Sequence, residues 1–460
     1  MDPIKQIISY LQTAKYEGLP KEVIDLIKYD FLDFCGNLLA GGSDPAIREV
    51  CDLYLGWGGK PECSVFTYDK KIPAVHAALL NSIMAFAMDY DDTHMQGGHV
   101  GVAVFPAALA AAEIRGGVSG KEFISAVAAA MEFFVRLGVY NKRRVDRHIF
   151  GGWEYHSLHA GFSSAAVAGI LLGLSEKQLL NAIGLAYHQA GGVGLSALEP
   201  SDAKTLGCGF GTCDGLASVF LAQKGITGPH SVLSGTYGFG TMYHSGCDTV
   251  GIVAGLGEKY ELLDMGFKPY ASCRLGHRTL DALERLIMQH KINATEVLEV
   301  RIRGSERVVE QIYLPPERTK SPGTRNAAVF SLPWVAACML LYGKVGVSQL
   351  SQAALNNKQI HDLAQKVYMD VDMSAEPSDH AAIMPVVVRT KRGDFTTKTK
   401  PVAPGDRGYR LSLETLKTKF FDNAASSRAP FDLDILKDIV DTALNLDSQN
   451  DISDMIRLLG

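Results

Sequence analysis

A series of stretches in the first 265 or so residues is built largely from Ala, Gly, Val and Leu at helical spacing. No other feature limits the fold as much. They fall near 73–88, 102–115, 120–138, 160–173, 176–190 and 211–224. Small side chains let helix axes approach closely, so these are expected as central helices of a packed bundle. Two amphipathic helices precede them. Ile4, Ile7, Ile8 and Leu11 mark the first, while Val23, Ile24, Ile27, Phe31, Phe34 and Leu38 form a stripe from Pro20 to a stop at Gly41-Gly42.

The periodicity then changes. Residues 296–303 (EVLEVRIR) alternate apolar and polar side chains, as a half-buried strand does. Segments 386–390 and 395–400 flank Lys391-Arg392-Gly393-Asp394 as a β-hairpin, with helical segments at 278–290 and 332–342 before it. After Pro404-Gly405-Asp406 the helical pattern resumes at 413–420 and 433–446. The expected fold is mainly α plus α/β. A large all-helical domain (1–267 plus 405–460) would carry a smaller α+β lid domain (268–404) inserted before the C-terminal helices. At 460 residues, two or three domains are expected in any case.

The formal net charge of −5 draws the chain neither to nucleic acid nor to anionic lipid. The basic run Arg143, Arg144, Arg147 lacks interleaved aromatics and reads as a solvated face, or a patch that receives acids. The start, MDPIKQIISYLQ, has no signal-peptide core. The longest apolar stretches, 100–114 and 165–174, fall short of the ~20 residues that span a bilayer, so no membrane is expected. Eight scattered cysteines without C-x-x-C read as reduced thiols, which points to the cytoplasm.

Several motif chemistries are missing. There is no P-loop, H-E-x-x-H or G-x-S-x-G. Gly207-Cys208-Gly209-Phe210-Gly211-Thr212 lacks the third glycine of a dinucleotide fingerprint and reads as a tight turn. His156 and His159 stand three apart without a carboxylate to complete a zinc site. Asp89, Asp91 and Asp92 begin like a calcium loop but lack its glycine and closing glutamate. Neither metal nor cofactor is expected.

The most unusual local chemistry is Met88-Asp89-Tyr90-Asp91-Asp92-Thr93-His94, followed by Gly97-Gly98-His99-Val100-Gly101. If the preceding helix continues, Asp89 and Thr93 share a face. A surface loop with Asp91 or Asp92 capping the next turn is the plain alternative. Capping alone does not account for three acids and two histidines between two core helices, and such groups tend to be tuned for function. Tyr155, His156 and His159 open another helix, where the dipole favours an anion, although one histidine could simply be a cap. Lys204 on its own reads as a solvated lysine. Lys268, Cys273, Arg274 and His277 crowd the expected domain junction, where ligand sites are favoured. Cys273 is either a nucleophile or a small buried apolar group.

Taken in order, these segments resemble the MmgE/PrpD family, which includes 2-methylcitrate dehydratases, cis-aconitate decarboxylases and iminodisuccinate epimerases. The resemblance spans nearly the whole chain. It rests on the D-Y-D-D-T-H stretch, the lysine before a Gly-rich segment, A-x-x-G-I-T-G-P at 222–229, K-P-Y-x-x-C-x-x-x-H-x-x-x-D-A at 268–282, F-S-x-x-x-V-A at 330–336, and Lys419-Phe420. It implies a helical domain with an α/β lid, a homodimer, and a cofactor-free cleft. The catalytic positions it implies are Asp89, Thr93, His99, Lys204, Lys268 and His156 or Tyr155, with Cys273 and His277 close by; Arg274 and His159 join Tyr155, Cys273 and His277 as substrate-binding candidates. Three departures stand out. His99-Val100-Gly101 replaces H-P-S/T-G and looks more like the epimerase branch, Tyr155-His156-Ser157 replaces F-H-P-T, and Pro333-Trp334 stands where decarboxylases keep a tyrosine.

The family's reactions share one difficulty, which is charge building up beside a carboxylate that is already negative. A base near carbon, cations on the carboxylate oxygens and an acid are therefore needed. His99 or His156 would move the proton, Lys204 and Lys268 would bind carboxylates, Asp89 would orient a histidine, and Thr93 would donate to substrate. A lysine of lowered pKa could instead be the base. The leading expectation is a dehydratase-type lyase acting on a small di- or tricarboxylate. An epimerase of an imino- or amino-dicarboxylate comes second, and a non-catalytic carboxylate-binding protein third.

Overall fold

A computed structural model describes residues 3–141, 152–376 and 381–460. The basic run at Arg143, Arg144 and Arg147 lies outside these. The protein is predominantly helical with a minor α+β part. Its apolar residues gather into two cores. One draws on residues from Ile4 to Phe267 and from Leu416 to Leu459; the other draws on Tyr270 to Val388, joined by Ala40, Met88 and Tyr90. The C-terminal helices Leu413–Ala424, Leu433–Leu444 and Ser453–Leu459 thus pack back onto the helical core.

The small-residue stretches form helices Ala74–Phe86, Gly101–Arg115, Gly120–Val139, Tyr155–Leu171, Glu176–Gln189 and Ala203–Gln223. The last of these begins eight residues before the expected start, and the expected glycine turn is helical. Its glycines serve contact rather than turning. A Cβ at Gly209 would lie 2.4 Å from Ile83 Cγ2, one at Gly211 2.8 Å from Ala160 Cβ, and one at Gly215 2.5 Å from the Gly161 carbonyl. Helix Ala203–Gln223 is thereby pressed against Tyr155–Leu171 and Ala74–Phe86. Among the described residues it is also the one helix long and apolar enough to cross a membrane, which no stretch was expected to be. Its buried Lys204 and glycine contacts are those of a core helix.

In the smaller part, a four-stranded sheet runs in the order Val367–Val371, Val297–Gly304, Pro385–Thr390, Gly393–Lys398, the first pair parallel and the rest antiparallel. Helices His277–His290 and Leu332–Tyr342 pack on it. The hairpin turn is tighter than expected. Thr390 pairs with Gly393, so only Lys391 and Arg392 form the loop, and Gly393 takes a φ of 128° that suits glycine.

One short pairing lies where the larger part leads into the smaller. Asp92–Thr93 lies antiparallel to Gly266–Phe267, Asp92 facing Phe267 and Thr93 facing Gly266. The Asp-rich segment is thereby brought beside the chain that leads into Lys268.

Candidate active site

Helix Ala74–Phe86 ends short of the acids, so Asp89 and Thr93 do not share a helical face. Asp89 instead turns with a φ of 47°. A left-handed backbone at such a residue costs on the order of 1–3 kcal/mol and persists where its surroundings hold it. Here Lys204 Nζ donates to Asp89 Oδ1 at 2.6 Å, and Lys268 Nζ lies 3.1 Å from Oδ2 and donates to the Asp89 carbonyl at 2.7 Å. All three side chains are buried. Burial alone would push the Asp89 carboxyl up, but Lys204, Lys268 and His99 outweigh it and hold it far below the usual carboxylate range. For Lys204, burial favours the neutral amine; Asp89 reverses this and raises its pKa. Two ammonium groups thus share one carboxylate in a dry site. Lys204 Nζ also sits 3.9 Å over the Phe86 ring and 5.4 Å from that of Phe330, which keeps water off it.

Beside this cluster stand two imidazoles. His99 Nδ1 donates to Asp91 Oδ2 at 2.7 Å, so the proton is on Nδ1 and Nε2 offers its lone pair. Nε2 lies 3.7 Å from Asp89 Oδ1. The His156 ring meets His99 edge-on at 5.2 Å, and both rest on Phe86. Burial lowers the pKa of His99, and Lys268 and Lys204 lower it further against the pull of Asp91. Burial, with His99 and Lys204 adjacent, holds His156 well below 6.5. Both rings are bases at neutral pH.

The surrounding loop is built to fit. Asp92 accepts from Val100 N at 3.0 Å and Gly101 N at 2.9 Å, so it caps helix Gly101–Arg115. The His94 backbone pairs with Gly98, and His94 Nδ1 accepts from Gly97 N at 2.9 Å. Gly98, with a φ of 95°, lies so close to His156 that a Cβ there would be 3.3 Å from the histidine's own. Behind the loop, Lys419 donates to the Tyr90 carbonyl at 2.5 Å and pairs with Asp33 at 2.7 Å.

These groups line one cavity of about 120 Å³ at the junction of the two cores. That is small against the roughly 300–1,000 Å³ of drug-sized pockets and suits an acid of a few carbons. Asp89, Thr93, His99, Tyr155, His156, Lys204, Lys268, Cys273 and Arg274 all line it. His159 and His277 do not. His159 is buried behind Tyr155, 5.1 Å edge-on to Phe134 and 5.7 Å from Phe239. His277 Nε2 lies 3.1 Å from the Ser272 carbonyl, and its ring abuts Tyr270. Burial, then Asp89, pushes the Cys273 thiol up to about 11, which removes it as a nucleophile at neutral pH. Arg274 spends its fork on Asp406, Nε donating to Oδ1 at 3.1 Å.

Glu154, Arg307, Gln311, Phe86 and Phe330 also hold positions in or beside the cavity that sequence reasoning missed. Glu154 had a signal, since it adjoins Tyr155-His156. Arg307 and Gln311 lie on helix Glu306–Ile312, where nothing in the sequence distinguishes a cavity-facing polar residue from a solvated one. Asp89, Asp91 and His99 offer metal-ligand atoms within 4.8 Å of one another. Those atoms already serve the two ammonium groups and the imidazole, and a cation would sit beside two positive charges.

The MmgE/PrpD N-terminal domain model matches residues 5–249, and the MmgE/PrpD C-terminal domain model matches residues 270–442. The chain belongs to the MmgE/PrpD family. Among curated proteins it is similar to the cis-aconitate decarboxylase of Aspergillus terreus, 26% identical over 99% of this chain and 95% of that one. The human cis-aconitate decarboxylase is 26% identical over 85% of this chain and 80% of its own. A cis-aconitate decarboxylase-like protein, oryM, of Aspergillus oryzae is 24% identical over 99% and 96%.

Two departures from the family pattern can now be placed. Val100 supplies an N–H to Asp92 that a proline there would lack, and His99 keeps its bond to Asp91. Trp334 is fully buried in the smaller core, donating to the Gln349 carbonyl at 3.2 Å, and does not line the cavity.

Proposed function

We propose that this MmgE/PrpD protein is a lyase that acts on a small di- or tricarboxylic acid through an enediolate-like intermediate. One observation carries the reading. A neutral imidazole with its tautomer held by Asp91 stands next to two ammonium groups that share one carboxylate. In dehydration, His99 Nε2 takes the α-proton, Lys204 and Lys268 steady the negative charge, and hydroxide leaves with a proton from a second acid. In decarboxylation, the bonding pair stays on carbon as carbon dioxide departs. The same cations hold the charge until a proton reaches that carbon. The similarity to cis-aconitate decarboxylases over nearly the full chain makes cis-aconitate the first acid to test.

Proton NMR on a panel of di- and tricarboxylates in deuterated water tests this. Loss of a carboxylate with deuterium at the carbon that held it, or loss of water to give an unsaturated acid, is expected for at least one. Ligand-dependent stabilisation without any turnover would instead mark a binding protein.

An epimerase of an imino- or amino-dicarboxylate is the second reading, favoured by the Gly98-His99-Val100-Gly101 variant and by two imidazoles 5.2 Å apart. It would change optical rotation and wash deuterium into the substrate without net loss of any group. We further propose a homodimer in a reducing, cytoplasmic setting. All eight free thiols and the family resemblance support this.

A further inference from the structure

His156 presents a difficulty that the scheme above does not resolve. It lines the cavity, yet its pKa is pressed so low that the ring carries no spare proton at neutral pH. A neutral imidazole can deliver a proton to carbon only if another arrives at its second nitrogen. Nε2 of His156 is sealed from solvent and has no hydrogen-bond partner among the described residues. The charged side chain it faces is Glu154, with Oε2 at 3.6 Å. Glu154 is itself buried, held at Oε1 by Ser196 Oγ and at Oε2 by Ser157 Oγ at 3.4 Å.

Glu154 also lines a second cavity, of about 320 Å³, on its other side, where Ser157, Gln189, Ser196 and Asp214 supply polar groups. Gly207 keeps the space between them open. A Cβ there would lie 2.7 Å from Ser157 Oγ and 3.6 Å from Glu154 Oε2. The charged and titratable groups bearing on Glu154 are His156 from its own helix, Lys204 from helix Ala203–Gln223 and Asp89 from the loop, with Asp214 across the second cavity. Burial raises its carboxyl above the ordinary value, against the hydrogen bonds of Ser196 and Ser157 and the charge of Lys204.

We propose that Glu154 is a proton-relay residue, passing protons from the second cavity to His156 while substrate fills the first. The relay rests on the lyase reading above. As His156 gives a proton to carbon from one ring nitrogen, Nε2 takes one from the Glu154 carboxyl, and the carboxylate is reprotonated by water of the second cavity. A half-turn of the imidazole about its Cβ–Cγ bond then restores the starting tautomer, so charge and protons balance over the cycle. The relay accounts for a buried carboxyl set against an unpartnered imidazole nitrogen, between two cavities.

The test uses Glu154→Gln, which keeps the side chain's shape and its link to Ser196, with Glu154→Asp as the conservative variant. With a turned-over acid, kcat of E154Q should fall at least tenfold with KM within twofold. The alkaline limb of kcat should disappear, because only a protonated carboxyl relays, and E154D should recover part of the loss. An unchanged kcat pH profile overturns the relay. If the wild type turns over no acid, the lyase reading fails, and the relay is tested separately by nitrogen-15 NMR titration of the imidazoles. Removing a paired carboxyl must shift the His156 titration in E154Q, and superimposable wild-type and E154Q curves overturn the proposal.

Discussion

Lys204 and Asp89 meet at 2.6 Å across 115 residues of sequence, and neither residue is explicable without the other. The carboxylate keeps the ammonium charged in a dry pocket, and the ammonium keeps the carboxylate ionised despite its burial. Lys204→Ala should therefore lower kcat/KM by at least about a hundredfold, the loss expected when one strong charge-stabilising donor is removed. Steady-state kinetics with circular dichroism checks this; a folded variant with full turnover would remove Lys204 from the mechanism.

Asp91→Asn tests the tautomer of His99. An asparagine amide can donate to Nδ1 and move the ring proton to Nε2, which silences the lone pair. A drop in kcat of about 10²–10⁴ is expected, with KM little changed, by analogy with carboxylate-to-amide changes behind other catalytic histidines. Nitrogen-15 spectra of the imidazoles report the tautomer directly.

Acid should act on both activity and stability. His99 and His156 lie below the ordinary 6.5 because burial favours their neutral rings. The rate should hold as pH falls through 6.5 and decline only lower. A folded state that favours the neutral ring is fully stabilised above 6.5 and loses that contribution as pH falls towards the folded values. Asp89, depressed in the fold, adds a second loss that begins near 3.8 and deepens below it. A pH–rate profile and urea unfolding at several pH values check these signs. An acidic limb at or above 6.5 would contradict them.

Lys419→Met should destabilise the fold by about 3–5 kcal/mol, because it leaves Asp33 buried without its cation. Pairing it with Asp33→Asn should recover much of this, as measured by urea unfolding of the single and double variants.

Gly215→Ala should lower stability by about 1–3 kcal/mol. The added methyl meets the Gly161 carbonyl, a backbone atom that cannot swing aside. Urea midpoints compared with the wild type decide it.

The helical bundle was largely legible because its apolar spacing is repeated and strong. The error at Gly207–Gly211 arose because glycine signals both turning and close approach, and only the neighbours Ile83 and Ala160 tell which. Asp89, His99, Lys204 and Lys268 were legible as a set through the family resemblance. Their pairing was not, because it depends on the left-handed turn at Asp89 and on contacts from distant segments. His159 and His277 were named because they are histidines in suggestive blocks, but position in sequence does not reveal which way a ring points. Glu154, Arg307 and Gln311 carried the opposite problem, since a polar residue on an ordinary helix or loop looks the same whether it faces water or a cavity.

The two-residue pairing of Asp92–Thr93 with Gly266–Phe267 has a consequence for synthesis of the chain. Asp89 emerges from the ribosome 179 residues before the lysine that grips its carbonyl, and Tyr90 emerges 329 residues before Lys419. A nascent chain therefore holds Asp89 without a counter-charge until Lys204 emerges, and Asp33 without one until Lys419 does, when synthesis is nearly done. A product that stops short of Lys268 lacks one of the two ammonium groups on Asp89 and the whole of the smaller core.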